Sequence, residues 1–174
     1  MFKELNILKV FFERPTQEFN IREIARILHK APATISTALK RFADADILMQ
    51  RPDRRHLFYR SNLESDAYRD LKRYFTIRRL RESGLLEAIN RYYLKPTVVL
   101  FGSAATGLDT ETSDIDLCVI SERTDALPEH ERYVKKFGRE LQIFAVRNIK
   151  DLRNPHLVNN VLNGIVLQGG VQWT

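Results

Sequence analysis

The spacing of hydrophobic positions divides the chain into a front part with a helical repeat and a back part with short apolar runs. Near the front, apolar side chains recur at intervals of three and four, which predicts amphipathic helices over residues 4–13 and 21–29. Asn20 followed by Glu23 has the pattern of a capping box, and Pro32 suits the first position of a third helix.

Further along the front part, the pattern changes from helix to hairpin and back. Residues 47–51 and 56–61 are predicted strands joined by a turn that starts with Pro52, and residues 17–19 can form a third, very short strand. A long helix is then predicted over residues 64–82. It is interrupted at Ser83-Gly84 and followed by a second helix over residues 85–93.

The back part alternates apolar strands with helices. Strands are predicted at residues 98–101, 117–120, 141–146 and 165–167, and helices over residues 128–138 and from Pro155 to about residue 162. We therefore expect an α/β (α+β) chain. Residues 1–62 would form one domain, residues 63–95 a helical connector, and residues 96–174 a second domain with a small mixed sheet.

Composition and charge refine this division. Residues 1–95 hold 20 Lys and Arg against 12 Asp and Glu, a net charge of +8, whereas residues 96–174 hold 8 against 10, a net charge of −2. A basic front part favours an anionic polymer as partner. No apolar segment approaches the roughly 20 residues of a membrane span and no signal peptide is recognised, so we expect a cytoplasmic protein without a membrane partner. Cys118 lies in an apolar run and is interpreted as a core residue.

Candidate chemistry is concentrated between residues 98 and 120. Gly102-Ser103 ends the first strand, and Asp114 and Asp116 stand at i and i+2 where the next strand begins. Side chains two apart on a strand share a face, so the two carboxylates are predicted to lie side by side. Such a pair suits a shared Mg²⁺, and the glycine turn with its serine hydroxyl suits a phosphate.

Gly102-Ser103 followed by Asp114-Ile115-Asp116 resembles the signature of the DNA polymerase β-like nucleotidyltransferases, especially their minimal members. The resemblance implies that Gly102 and Ser103 hold a nucleoside triphosphate and that Asp114 and Asp116 bind Mg²⁺ or Mn²⁺ as catalytic residues. It also implies transfer of a nucleoside monophosphate to an acceptor. Minimal members resemble antitoxins that modify a partner toxin, so the acceptor could be a protein of that kind.

The resemblance also implies a third carboxylate on the neighbouring strand, where this chain departs from the family. Alternation over residues 141–146 places Gln142 at the expected position, with Glu140 facing the same way one step earlier. Glutamine cannot neutralise a metal ion or act as an anionic base. Two functions therefore stay open: a transferase, or a transcriptional regulator whose silent domain senses nucleotide or binds a partner.

Three helices followed by a basic hairpin resemble a winged helix-turn-helix of transcription regulators, which implies binding to double-stranded DNA. Small polar residues on the third helix would approach base edges, and basic residues there and on the hairpin would contact phosphates. The candidates are Thr34, Ser36, Thr37, Lys40, Arg41, Arg54 and Arg55. A homodimer would suit a palindromic target, and the alternative is a protein-interaction module that binds no nucleic acid.

Overall fold

The structure of the protein is a computed structural model that describes residues 2–54 and 56–171. The chain divides into two compact units, the front one ending at Phe75 and the back one beginning at Thr76. This division falls inside one long helix, α4 (Asp66–Glu82). Each unit has its own hydrophobic core and its own sheet.

The front unit combines helices with a small antiparallel sheet. Its elements are α1 (Phe2–Glu13), β1 (Phe19–Asn20), α2 (Ile21–Leu28), α3 (Pro32–Asp44), β2 (Leu48–Asp53), β3 (His56–Ser61) and the first half of α4. The strand order is β1-β3-β2. All six residues of β2 pair with β3, from Leu48 opposite Ser61 to Asp53 opposite His56.

The predicted capping box starts α2. The Asn20 side-chain oxygen accepts a hydrogen bond from the backbone N–H of Glu23 at 3.0 Å, and the Glu23 carboxylate accepts one from the backbone N–H of Asn20 at 2.8 Å. Two backbone donors that the helix itself leaves without partners are thereby satisfied. Pro32 occupies the first turn of α3, as predicted, and Ile35 and Leu39 are fully buried below that helix.

Polar groups of the front core satisfy the end of α1. The hydroxyls of Ser61 and Tyr68 both donate to the Phe11 carbonyl oxygen, each at 3.1 Å. The ammonium group of Lys72, a residue only 1% exposed, donates to the Phe12 carbonyl oxygen at 3.1 Å. The last carbonyl groups of a helix lack partners within it, so these contacts from β3 and α4 fix the end of α1 in the core.

The back unit is built on a four-stranded mixed sheet. After α5 (Leu85–Tyr93) the elements are β4 (Thr97–Phe101), α6 (Gly102–Thr106), β5 (Ile115–Ile120), α7 (His130–Phe137), β6 (Leu141–Val146), a 3₁₀ helix (Ile149–Leu152), α8 (Pro155–Leu162) and β7 (Ile165–Gln168). The strand order is β6-β5-β4-β7. β5 and β6 run parallel, and the other two pairs are antiparallel.

Each face of this sheet contributes side chains to a separate hydrophobic cluster. Leu141, Ile143 and Ala145 lie with the layer that contains α5, α6 and α7, while Phe144 lies with the layer of α8 and the 3₁₀ helix. The predicted alternation in β6 is therefore confirmed. Cys118 is fully buried on the second face, and burial raises the pKa of its thiol to about 11, which confirms its interpretation as a core residue.

Some element boundaries differ from the predicted ones. α7 begins at His130 instead of residue 128, and α4 begins at Asp66 instead of residue 64. The Gly102-Ser103 turn continues into the short helix α6, which the sequence pattern did not predict because five residues are too few to show a helical repeat. No helix in residues 2–54 and 56–171 has both the length and the apolar surface that a membrane crossing requires.

Candidate functional site

The two predicted acidic residues lie together at the start of β5. Asp114 directly precedes the strand and Asp116 is its second residue, opposite Phe101 of β4 and Gln142 of β6. Ile115 and Leu117 point to the opposite face and are buried, as predicted. Alternation thus presents both carboxylates, each half-buried, on one face at one end of the sheet.

Glycine is the only residue type that fits at position 102, directly after β4. Its φ angle of 70° lies in the left-handed region, and a Cβ atom placed there would be 2.4 Å from an Asp116 carboxylate oxygen. A side chain would therefore displace Asp116 as well as strain the backbone. The adjacent Ser103 is half-buried, and its carbonyl oxygen accepts hydrogen bonds from the Leu108 amide and the Thr106 hydroxyl. The turn and the acidic pair are thus brought together.

Gln142 also lies in this cluster. The parallel register places it beside Asp116, and its side-chain amide donates a hydrogen bond to an Asp114 carboxylate oxygen at 2.5 Å. The position predicted for the third ligand is therefore at the site, occupied by an uncharged side chain. An amide that donates to Asp114 stabilises that carboxylate but adds no negative charge.

Glu140 contributes its backbone to the structure. Its carbonyl oxygen accepts a hydrogen bond from the Ile115 amide at 2.9 Å, while its side chain is exposed. In the described ranges, no three or more His, Cys, Asp or Glu side chains are grouped so that they could hold a metal ion. Glu140 therefore does not complete a three-carboxylate cluster with Asp114 and Asp116.

Arg139 supports the acidic pair and was missed by the sequence analysis. Its guanidinium group donates to the carbonyl oxygens of Ser113, at 2.6 Å, and Asp114, at 3.2 Å. It also forms an ion pair at 2.6 Å with Asp109, whose side chain is 1% exposed. Three donors in a rigid fork thus fix the loop that precedes β5. Nothing in the local sequence indicates this, because a lone arginine before a strand is usually solvated.

The electrostatics of the pair favour a cation. Burial and the neighbouring Asp114 raise the pKa of Asp116 above its ordinary value, and Arg139 offsets part of this rise. Two carboxylates that share a small region repel each other when both are ionised. A bound divalent cation would remove that repulsion, and carboxylate oxygens are the ligands that Mg²⁺ and Mn²⁺ prefer.

Asp116→Asn is expected to raise the melting temperature of the metal-free protein at neutral pH. The folded-state pKa of Asp116 lies above the unfolded one, so its protonated form is favoured by folding. The folded protein has this advantage below the unfolded-state pKa and loses it as the pH rises through the folded-state pKa. The gain of the variant should therefore be greatest at neutral pH and fade toward about pH 4. Thermal denaturation in EDTA across this range measures it.

The matched control for this experiment is Glu122→Gln, a neutralisation at an exposed position. It should change the melting temperature little at any pH, because surface charges are well screened. A lower melting temperature for Asp116→Asn at neutral pH would contradict the raised pKa of that carboxyl group.

The predicted DNA-contacting residues occupy exposed positions in the front unit. Thr34, Thr37, Lys40 and Arg41 are exposed on α3, and Ser36 is half-buried there. Arg54 is exposed at the turn between β2 and β3, with a φ of 51°, and Arg55 lies outside the described residues. The structure therefore brings most of these side chains to one helix and one hairpin tip.

Arg51 shows that a basic residue on the hairpin need not be available to a partner. Its guanidinium group forms an ion pair with Glu18 at 2.6 Å and lies over the Phe58 ring, 5.4 Å from its centroid. The Glu18 contact raises the pKa of Arg51 and lowers the pKa of Glu18. This contact joins residues 33 positions apart, so sequence spacing did not reveal it.

Comparison with known protein families finds a match in the back part of the chain. Residues 82–167 match the model of the nucleotidyltransferase domain family. The matched range contains the Gly102-Ser103 turn, the acidic pair and Gln142. No curated protein and no solved structure matches the chain. The resemblance of this part to a nucleotidyltransferase is thereby confirmed, and the mixed α/β structure with its small sheet is consistent with that fold.

Proposed function

We propose that the protein binds a nucleoside triphosphate with Mg²⁺ or Mn²⁺ at the start of β5 and transfers a nucleoside monophosphate to an acceptor hydroxyl. The observation that supports this proposal is the cluster of Asp114, Asp116 and Gly102 within the segment that matches the nucleotidyltransferase family. The function requires carboxylate oxygens for a hard cation beside a turn that admits phosphate, and both features are on one face of the sheet.

Asp114 and Asp116 would hold the cation, and Gly102 and Ser103 would hold the phosphates. When bound, the cation neutralises charge on the phosphates during transfer. The acceptor oxygen bonds to the α-phosphorus, the bond from that phosphorus to the bridging oxygen breaks, and pyrophosphate leaves. The acceptor proton passes to a carboxylate of the pair or to water. Arg139 would keep Asp114 in place for this step through its hydrogen bond to the Asp114 carbonyl oxygen.

A second candidate function is favoured by Gln142. Its amide donates to Asp114 and supplies no charge where the family resemblance implies a carboxylate. A site with two acids can still bind one cation with a nucleotide, while support for a second cation would be weak. In this alternative the domain senses nucleotide or binds a partner for a transcriptional regulator and does not transfer a nucleotide.

The decisive experiment is transfer of label from each α-labelled nucleoside triphosphate, with Mg²⁺ or Mn²⁺, to the protein itself, to DNA and to proteins of a host lysate. Label on one of these destinations would support the transferase and identify the class of acceptor. A toxin-like protein is one of the acceptors that this experiment can reveal. Nucleotide binding with no label on any destination would support the sensing function instead.

We also propose that residues 1–62 form a winged helix-turn-helix domain that binds double-stranded DNA, with residues 63–95 as connector to the nucleotidyltransferase-like domain. The support is the order of elements, in which α2 and α3 are followed by the β2-β3 hairpin. Thr34, Ser36 and Thr37 would approach base edges on α3, and the basic residues Lys40, Arg41, Arg54 and Arg55 would contact phosphates. A palindromic target would recruit two copies of the chain.

Arg54→Ala is expected to weaken binding to duplex DNA about fivefold to tenfold, equally for all sequences, because a lost phosphate contact carries no sequence information. The slope of log affinity against log salt should also fall by about one. Fluorescence anisotropy with a labelled duplex across a salt series measures both quantities.

The matched control is Lys9→Ala, which removes an exposed cation of α1 outside the proposed DNA surface. It should leave the affinity and the salt slope nearly unchanged. Equal losses in Arg54→Ala and Lys9→Ala would indicate general charge attraction without a defined DNA surface. Absence of any duplex binding at low salt would favour a protein-interaction module.

A further inference from the structure

β6 is an edge strand with backbone groups that face away from the sheet. The carbonyl oxygens of Glu140 and Val146 accept hydrogen bonds from the backbone amides of Ile115, in β5, and Ser121, directly after it. The backbone groups of the even-numbered residues between them therefore also face β5. The N–H and C=O groups of Leu141, Ile143 and Ala145 consequently point outward. The Leu141 carbonyl oxygen accepts a hydrogen bond from the His130 ring at 2.6 Å. In the described parts of the chain, Ile143 and Ala145 gain no such partner at this edge.

This edge lies in a cleft of about 620 Å³. One wall contains Tyr93 and residues 124–127, and the other contains Asp151, Leu152 and Leu157. The floor is the half-exposed strand segment of residues 143–146. The two walls belong to the layers that cover the opposite faces of the sheet, so the strand edge is recessed between them.

Both walls are held in place by hydrogen bonds of the unit itself. The Tyr93 hydroxyl donates to the Asp125 carbonyl oxygen at 2.8 Å. On the other side, the backbone N–H of Asn148 donates to the Asp151 carboxylate at 3.0 Å, which fixes the start of the 3₁₀ helix. A cleft whose walls are already ordered loses little conformational entropy when a ligand binds.

The shape of the cleft selects its occupant. An added strand must approach β6 to about 4.8 Å. A second copy would present its own β6 between the same two walls, so the carboxylates of Asp125 and Asp151 would meet like charges of the other copy. A single extended peptide can enter the cleft, and the four floor residues span about 13 Å, which suits a segment of four or five residues.

The charge of the cleft points to a basic segment. Its lining includes the exposed carboxylates of Asp125 and Asp151, and no lysine or arginine is among the lining residues of the described chain. Lysine or arginine side chains on the segment would meet opposite charge at both walls. Apolar side chains of the segment would contact Leu127 on one wall and Leu152 or Leu157 on the other.

We propose that the β6 edge binds an extended basic segment of a partner protein as an added strand, with its backbone hydrogen-bonded to Ile143 and Ala145. The proposed contacts do not use the acidic pair, because they are made by the outward backbone groups of Ile143 and Ala145, whereas Asp116 lies on the other side of β6, in β5. This binding differs from the proposed transfer reaction and can succeed or fail separately.

The experiment selects binders from a random octapeptide library on the full chain without nucleotide, and measures the affinity of each synthesised binder by fluorescence anisotropy. We expect binders with Lys or Arg between apolar residues. Ala145→Pro should weaken them about tenfold or more, because it removes an outward N–H and fills part of the cleft. It breaks no bond to β5, since that N–H faces away from the sheet. Asp125→Lys should weaken basic binders without affecting the Tyr93 contact, which uses the main-chain oxygen.

A test on the peptide avoids any effect of the variants on folding. N-methylation of alternate peptide amides should abolish binding in one register and leave it nearly unchanged in the other, because only every second amide of an added strand faces β6. Equal effects in both registers, no binder with a Kd below about 100 μM, or unaltered binding to Ala145→Pro would overturn the proposal. Sedimentation would also overturn the proposal if it showed that the wild-type protein is a dimer and that Ala145→Pro is a monomer. The occupant of the cleft would then be a second copy of the chain.

Discussion

Replacing both Asp114 and Asp116 by asparagine is expected to lower nucleotidyl transfer about a thousandfold or more. The two carboxylates are the only charged ligands that the site offers among the described residues, and removing their charge removes the cation that would neutralise the phosphates. Several kcal/mol of transition-state stabilisation would be lost, and each 1.4 kcal/mol is about a factor of ten in rate. Label transfer at saturating nucleotide and Mn²⁺ measures the effect.

Loss of activity in this variant should not come from unfolding. Asparagine preserves the shape of aspartate, and neutralising Asp116 is expected to stabilise the metal-free protein, because burial and Asp114 already raise the pKa of that carboxyl. Asp70→Asn is the matched control, because it exchanges the same residue types at an exposed position of α4, outside the acidic cluster. Transfer that persists in the double variant would show that the chemistry occurs elsewhere in the chain.

Gln142→Glu is expected to increase cation affinity and transfer about tenfold to a hundredfold. The Gln142 amide nitrogen is 2.5 Å from an Asp114 carboxylate oxygen, so a glutamate of equal length would bring a third carboxylate to the pair. Three acids neutralise the charge of divalent cations better than two and give a second cation a ligand. Isothermal titration with Mn²⁺ and label transfer measure the two gains.

The same substitution should destabilise the protein when no metal is present. Three ionised carboxylates repel one another, and the hydrogen bond from Gln142 to Asp114 is lost. We expect a lower melting temperature in EDTA that Mn²⁺ restores. Gln142→Met, similar in length but without charge, is the control and should gain neither affinity nor activity.

The outcome for Gln142→Glu also separates the two candidate functions. If the wild-type chain transfers nucleotide and the variant transfers it faster, the protein is an enzyme whose second cation site is weak. Transfer that appears only in the variant would show that the wild-type domain does not transfer nucleotide, which is the second candidate function. A variant with unchanged cation affinity would contradict the placement of position 142 beside the acidic pair.

Local patterns in the sequence predicted most of the secondary structure and the centre of the site. Three features depend only on residues that are close in sequence, so the sequence shows them directly. They are the capping box of Asn20 and Glu23, the proline at the start of α3 and the strand over residues 141–146. The acidic pair was predictable for the same reason, because alternation along a strand places Asp114 and Asp116 on one face whatever the rest of the fold does.

Contacts between distant residues could not be predicted in this way. The ion pair of Arg139 with Asp109 joins positions 30 apart, and the hydrogen bond of Gln142 to Asp114 joins positions 28 apart. The need for glycine at position 102 also follows from an approach of Asp116 across the sheet. Each depends on strand order and register, which many sequences of the same pattern could satisfy differently.

The sequence alone thus determined which residue types carry the chemistry: a glycine-serine turn, two aspartates and a glutamine where a third acid was expected. The tertiary structure decided how they meet, because parallel pairing of β5 with β6 places Gln142 beside Asp116, from where its amide reaches Asp114, while Glu140 stays outside the cluster. It also decided that β6 lies at the edge of the sheet between two walls. The physical reason is that alternation acts within one strand, whereas neighbours across strands depend on the folding of the whole unit.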